Sequence, residues 1–261
     1  MTRADSPLSW HALCVPKQGH SADEYEDAWA ADPAAGRFAV ADGASESSFA
    51  ALWARLLAEG FVAARRQSDL TGWLADPRRR WAAEVNGREL PWYAEMKREQ
   101  GAFATLLGLR LRPPAATRPG AWRAQAVGDS CVVSVRADGR LQSFPLTNSG
   151  EFGNQPRLIG SREGSPLRQE FAAGPLLPGD YLFLMTDALA QWFLHTHERA
   201  GRPWLDLADV LSSASPAEAF AGWIDGLRKS GALRNDDVTL LAIRIEARVA
   251  RRAEREEKTP R

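Results

Sequence analysis

Cysteine is nearly missing from this sequence: there are two in 261 residues, Cys14 and Cys131. Two thiols cannot staple a small secreted scaffold, so a reducing compartment is expected. Long apolar runs are missing too. None approaches the ~20 residues needed to span a bilayer, and the opening MTRADSPLSWHALCVP lacks the continuous apolar stretch of a secretory signal. Neither sign of charge is in excess, because 33 Lys and Arg balance 33 Asp and Glu. No net field therefore favours nucleic acid or a membrane surface. The remaining expectation is a soluble, cytoplasmic, globular chain. At 44% hydrophobic residues it is long enough to bury a sizeable core.

What is present is a set of short apolar runs with strand character, at Trp10–Val15, Arg37–Ala41, Phe103–Leu111, Trp122–Val127, Cys131–Val135, Tyr181–Met185 and Val238–Ile245. Asp138-Gly139 marks a hairpin turn between VVSV and LQSF. Helical periodicity runs through Phe49, Leu52, Trp53, Leu56, Leu57 and Phe61. Residues 78–100 read as helical on both sides of Pro91, and 188–199 as a short helix. Ser215-Pro216-Ala217-Glu218 has the form of a capping box ahead of Phe220, Trp223, Ile224 and Leu227. Strands grouped together and helices grouped together argue for an α+β fold with antiparallel sheets. Residues 145–175, rich in Gly, Ser, Pro and Asn, read as a long irregular segment of functional character. From Ala247 onward six Lys/Arg face three Glu without an apolar stripe, so 247–261 reads as a charged, disordered tail.

Carboxylates punctuate the strand ends. Asp42 follows FAVA, Asp129 follows WRAQAV, Asp187 follows YLFLM, and Asp236-Asp237 precede VTLLAI. Any one of these suits a turn or a helix cap. Antiparallel neighbours, however, bring the end of one strand beside the start of the next, so several can converge. Converging carboxylates repel unless protonated or bridged by cations, and oxygen-only ligands suit Mg²⁺ or Mn²⁺ better than zinc. Spacing alone leaves turn and ligand open.

The segments EDAWAAD…RFAVADG, AFATLLGLRL, AVGDSCVV, GDYLFLMTDAL and NDDVTLLAI together resemble the PPM family, the type 2C metal-dependent serine/threonine protein phosphatases of bacterial type. The motifs come in the family's order over Trp10 to Ile245. The resemblance implies a four-layer αββα sandwich over residues 1–246, with two mostly antiparallel sheets between helices. It also implies a binuclear Mn²⁺ or Mg²⁺ centre at one end, two ions per chain. Residue by residue, Asp42 resembles the bridging carboxylate and Gly43 the donor of a backbone carbonyl. Glu26 resembles the acidic residue that holds a metal, directly or through water. Asp187 and Asp236 match the aspartates of the family's Ser-Asp-Gly and Asp-Asn motifs, here Thr-Asp-Ala and Asp-Asp. Asp42, Asp187 and Asp236 are thus the catalytic set, Glu26, Asp42, Gly43, Asp187 and Asp236 the metal set. The implied partner is a phosphorylated protein, with no nucleic acid or membrane, and the chain monomeric.

The sequence departs from the family in three places. Ala22 stands where the phosphate-binding arginine is usual, four residues before Glu26. Ala44-Ser45-Glu46 follows Asp-Gly, which removes a general acid. Asp129 matches a third-metal ligand, but its partner position is Gln191, which puts a third ion in doubt. Lys17 and His20 are the cations nearest to Glu26 in the segment before it and are the candidate substrate-binding residues, with Arg157 or Arg162 as the alternative. A cysteine phosphatase is excluded by spacing, since Arg136 lies one residue too close to Cys131. There is no Walker A motif. A pseudophosphatase that binds a phosphoprotein, and a phosphatase of small metabolites, stay open.

Overall fold

The computed structural model describes residues 7–246, apart from 46, 48, 65–70, 87–98, 116–117, 154 and 165–166. One five-stranded sheet contains β1 (Leu8–Val15), β7 (Cys131–Val135), β8 (Leu141–Phe144), β11 (Tyr181–Met185) and β12 (Val238–Ile245), in the order β1-β12-β11-β7-β8. The other contains β2 (Ala28–Asp32), β3 (Arg37–Ala41), β5 (Leu106–Arg112), β6 (Gly120–Val127) and β10 (Glu170–Leu176), in the order β10-β6-β5-β3-β2. Every pairing in both is antiparallel. A two-stranded ribbon joins β4 (Phe103–Ala104) to β9 (Ile159–Gly160).

Both faces of each central strand are covered, which explains why these strands read as continuous apolar runs rather than alternating ones. In β11, Leu182 and Leu184 point to the space between the sheets, while Phe183 and Met185 point to helices. In β3, Phe38 and Val40 face the inter-sheet core and Ala39 and Ala41 face the opposite helices. Helices α1 (Ala50–Ala63) and α2 (Thr71–Asn86) cover the β2/β3 sheet through Trp53, Leu57, Phe61, Leu74 and Trp81. Helices α3 (Asp187–Glu198), α4 (Pro203–Leu211) and α5 (Pro216–Lys229) cover the β11/β12 sheet through Leu189, Phe193, Leu207, Phe220 and Ile224. The layers are therefore helix, sheet, sheet, helix, as the resemblance implies. No helix among the described residues is long and apolar enough to cross a membrane.

The differences from the sequence reading have local causes. The segment 145–175 contains β9 and most of β10; β10 is an edge strand with an exposed face, so it lacks an apolar signature and tolerates Pro175. The alanine-rich edge strand β2 and the nine-residue α4 were too weakly patterned to register. Phe103–Leu111 is two strands, broken at Thr105, which leaves the ladder to serve the site. Helix α2 begins at Thr71, earlier than residue 78, and its expected continuation through Pro91 falls on residues outside those described, as does the tail 247–261. Proline does open α5, but Ser215 makes no side-chain capping bond, so the capping box is not formed.

Candidate metal centre

Strand ends assemble the site. Asp42 leaves β3, and its N–H donates to the Thr105 hydroxyl (3.1 Å) while the Thr105 N–H donates to the Asp42 carbonyl (2.8 Å). The Thr105 hydroxyl also bonds to that of Ser130 (3.0 Å). Gly128 makes this closure possible: it has φ +107°, and a Cβ there would stand 2.6 Å from Thr105 Cβ. The tight turn delivers Asp129 to the same end of the sandwich. Asp187 arrives from the other sheet, one residue after Thr186, at the first turn of α3.

Ligand oxygens of Asp42, Asp129 and Asp187 all lie within 4.8 Å of one another. Asp129 is only 5% exposed, and its Oδ1 has no hydrogen-bond partner. Burial raises the carboxyl pKa of Asp129. Burial, with Asp129 and Asp236 close by, raises that of Asp42 to about 7. Three carboxylates confined in this way need positive charge, and the donor set is entirely oxygen, which fits a hard divalent ion.

Asp236 borders this trio, close enough to act on the charge of both Asp42 and Asp129. Its Oδ1 accepts from the Asp237 N–H (3.0 Å). The neighbouring carboxylate turns elsewhere: Asp237 accepts from the Lys17 N–H (2.7 Å) and the Glu26 N–H (2.8 Å). Successive residues entering a strand point to opposite sides, and here one faces the acidic cluster while the other staples two chain segments.

A second buried carboxylate, Asp27, escaped the sequence reading. Its Oδ2 accepts from the hydroxyls of Thr186 (2.9 Å) and Thr239 (2.8 Å), with Tyr25 also in contact. Burial first, then the nearby Asp42, pushes its pKa well up. The Thr186 hydroxyl in turn accepts from the Thr239 N–H (2.9 Å), so one network ties β2, β11 and β12 together beneath the trio. Its only sequence signal was adjacency to Glu26 in YEDA.

Glu26 lies apart from the trio: its carboxylate accepts from the Ser45 hydroxyl and pairs with Lys17 Nζ at 3.7 Å. His20 faces Glu24 at 3.8 Å. Lys17, His20, Glu26, Ser45 and Phe49 are among the residues that line a cleft of about 330 Å³. Gly43 is buried, and a Cβ there would come 2.8 Å from the Glu26 carbonyl and 3.0 Å from Ala50. Any side chain there would force β3 and α1 apart. Arg157 pairs with Glu170 (3.1 Å), away from the acidic set. The cation that does touch the set is Arg234, which the sequence reading passed over. Its Nη2 pairs with Asp187 and lies 3.5 Å from Asp236.

The chain is similar to known proteins in family and in fold. The family model for protein phosphatase 2C matches residues 17–225. Among solved structures, PppA, described as a key regulatory component of T6SS in Pseudomonas aeruginosa, superposes with TM-score 0.56 at 21% identity, covering 92% of this chain and 98% of its own. The Mycobacterium tuberculosis serine/threonine phosphatase PstP/Ppp gives 0.56 at 19% identity, covering 92% and 99%. The catalytic domain of PstP in complex with two manganese ions gives 0.57 at 19% identity, with the same coverage. Among curated proteins, none matches the sequence. The structural likenesses establish the fold, and the family match runs through most of the chain, including Asp42 and Asp187. The chain therefore belongs to the protein phosphatase 2C family and is a metal-dependent protein serine/threonine phosphatase.

Proposed function

We propose that Asp42, Asp187 and Asp236, with the Gly43 carbonyl and with Glu26 directly or through water, hold two Mn²⁺ or Mg²⁺ ions that serve hydrolysis of phosphoserine and phosphothreonine in a protein substrate. The observation that carries this reading is the convergence of Asp42, Asp129 and Asp187 from three separate turns to within 4.8 Å, with the buried Asp129 Oδ1 unpaired. Bound there, the ions would supply a water acidified to near neutral pH and positive charge for the phosphoryl group.

The chain's own residues do the rest. Asp42, at the end of β3, would hold the ions through its carboxylate oxygens. Asp187 and Asp236, which share Arg234, would add two further carboxylates. Asp129 adds a fourth negative group, which favours cations over protons as pH rises through neutrality. Asp27, Thr186 and Thr239 form a hydrogen-bonded network close to Asp42 and, through Thr186, directly before Asp187 in the chain, a support for both. Such supporting shells are worth about ten- to a hundred-fold in metal affinity. Lys17 and His20 line the cleft where a displayed phosphorylated side chain would enter. No covalent nucleophile is needed, in keeping with a buried Cys131 whose thiol pKa is raised by burial.

The test is hydrolysis of phosphothreonine and phosphoserine peptides by the full chain with Mn²⁺, against excess EDTA and against small phosphorylated metabolites. Metal-dependent release of phosphate from the peptides is expected. Activity that survives EDTA, or that is confined to the metabolites, would overturn the corresponding half of the reading.

A further inference from the structure

The chain lacks an arginine at the position where the family places its phosphate grip, because Ala22 stands there. The cations of the same segment are already committed. Lys17 Nζ lies 3.7 Å from Glu26 and 3.5 Å from the Ser45 hydroxyl, and His20 faces Glu24. In the long segment, Arg157 is held by Glu170. Among the described residues, the ion pairs made to the acidic cluster come from Arg234.

Arg234 sits in the loop between α5 and β12, two residues before Asp236. That loop is braced by Arg228, which donates to the carbonyls of Asp236 (2.6 Å) and Pro16 (2.9 Å). The brace fixes the loop against the exit of β1, so the base of the Arg234 side chain is placed while about one-third of the side chain is exposed. A guanidinium carries five N–H donors. Here Nη2 engages Asp187 and Asp236, and Nε has no partner at all. Arg234 also lines a small cavity of about 120 Å³ with Ser149, Gln191, Trp192 and His195. It thus touches both the carboxylates and a cavity large enough for a phosphoryl group.

We infer that Arg234 is the substrate-binding arginine of this phosphatase: it balances Asp187 and Asp236 in the metal-free protein and grips the phosphate of the substrate from the β12 side of the centre. The planar fork matches two phosphate oxygens at once, which a lysine ammonium does not. The inference rests on the metal-dependent reading of the same site, and it has a consequence in each state. Without metal, Arg234 competes with an incoming ion for two ligands. With metal, it contributes directly to phosphate binding.

The experiment compares wild type with Arg234→Ala, Arg234→Gln, Arg234→Lys and Lys17→Ala, using a phosphothreonine peptide, inorganic phosphate and Mn²⁺. In Arg234→Ala and Arg234→Gln, KM for the peptide and the inhibition constant of inorganic phosphate should rise together by about ten-fold, as expected for one charge-assisted contact. Arg234→Lys should recover part of this, and Lys17→Ala should move both constants less. Calorimetric titration of the metal-free variants should show Mn²⁺ bound as tightly as in wild type or more tightly. Unchanged phosphate constants in Arg234→Gln would overturn the inference, as would a loss of Mn²⁺ affinity, which would make Arg234 a support of the metal site alone. Inorganic phosphate binding by the Mn²⁺-loaded protein, followed by calorimetry, reads on Arg234 even without turnover. Failure of the phosphatase reading would show separately, as a wild type that hydrolyses nothing with Mn²⁺.

Discussion

A carboxylate buried among other carboxylates is costly unless a cation joins it, and Asp42 is the sharpest instance. Its pKa is raised to about 7 by burial and by Asp129 and Asp236. Replacing it with Asn removes one of the repelling charges and one ligand together. Asp42→Asn should lower phosphopeptide hydrolysis by about a hundred-fold or more, while the metal-free protein melts no earlier than wild type. Residual activity near wild type, read in the same assay, would remove Asp42 from the centre. The adjacent pair Asp236 and Asp237 offers a paired test. Asp236→Asn should weaken Mn²⁺ binding with little change in urea stability. Asp237→Ala strips the acceptor from the Lys17 and Glu26 N–H groups and should cost about 2–3 kcal/mol in urea unfolding. Equal effects of the two on both measurements would contradict their division of labour.

At the scale of elements, the site depends on two contacts between strands and helices. The Thr186 hydroxyl donates to Asp27 and accepts from the Thr239 N–H, which locks the β11–α3 junction onto β12 and β2. Thr186→Val keeps the shape and deletes both bonds, leaving buried polar groups unpaired. It should cost about 2–3 kcal/mol in urea unfolding and lower Mn²⁺ affinity by about ten-fold or more, by calorimetry. The second contact is the junction of β3 and α1 at Gly43, where a side chain meets Glu26 and Ala50. Gly43→Val should destabilise by about 1–3 kcal/mol through overpacking, visible as a lower thermal midpoint, and should reduce activity by moving Asp42. A variant as stable as wild type would show that β3 and α1 separate freely.

For the whole molecule, the acidic end of the sandwich is a point of instability that metal relieves. An ion bound only by the native state adds RT ln(1 + [L]/Kd), about 2.7 kcal/mol at a hundred times Kd. For a chain of this size that corresponds to a rise of about 5–10 °C in Tm. The buried Trp53, Trp81 and Trp122 give an intrinsic fluorescence signal for the transition. Excess EDTA should reverse the shift, and Asp42→Asn should lack most of it. A Tm indifferent to Mn²⁺ in wild type would argue that the native state holds no ion.

Some of this was legible in the residues alone. The central strands β3, β7, β11 and β12 announce themselves because both faces are buried, so most positions are apolar and no register is needed to see it. The aspartates that interrupt those runs are visible for the same reason: a charge directly after a buried strand contrasts with its neighbours. Edge strands β2 and β10 were illegible because an exposed face leaves mixed residues, and α4 because nine residues carry too few turns to show a period. Asp27 and Arg234 were illegible on different grounds. Each looks like an ordinary charged residue in its own segment, and what distinguishes it is a partner far away in sequence: Thr186 and Thr239 for Asp27, Asp187 for Arg234. Local pattern thus determined which strands are buried and which carboxylates end them. Only the closing of two antiparallel sheets, which brings distant turns to one end, decided which charges meet there and which cation lies between them.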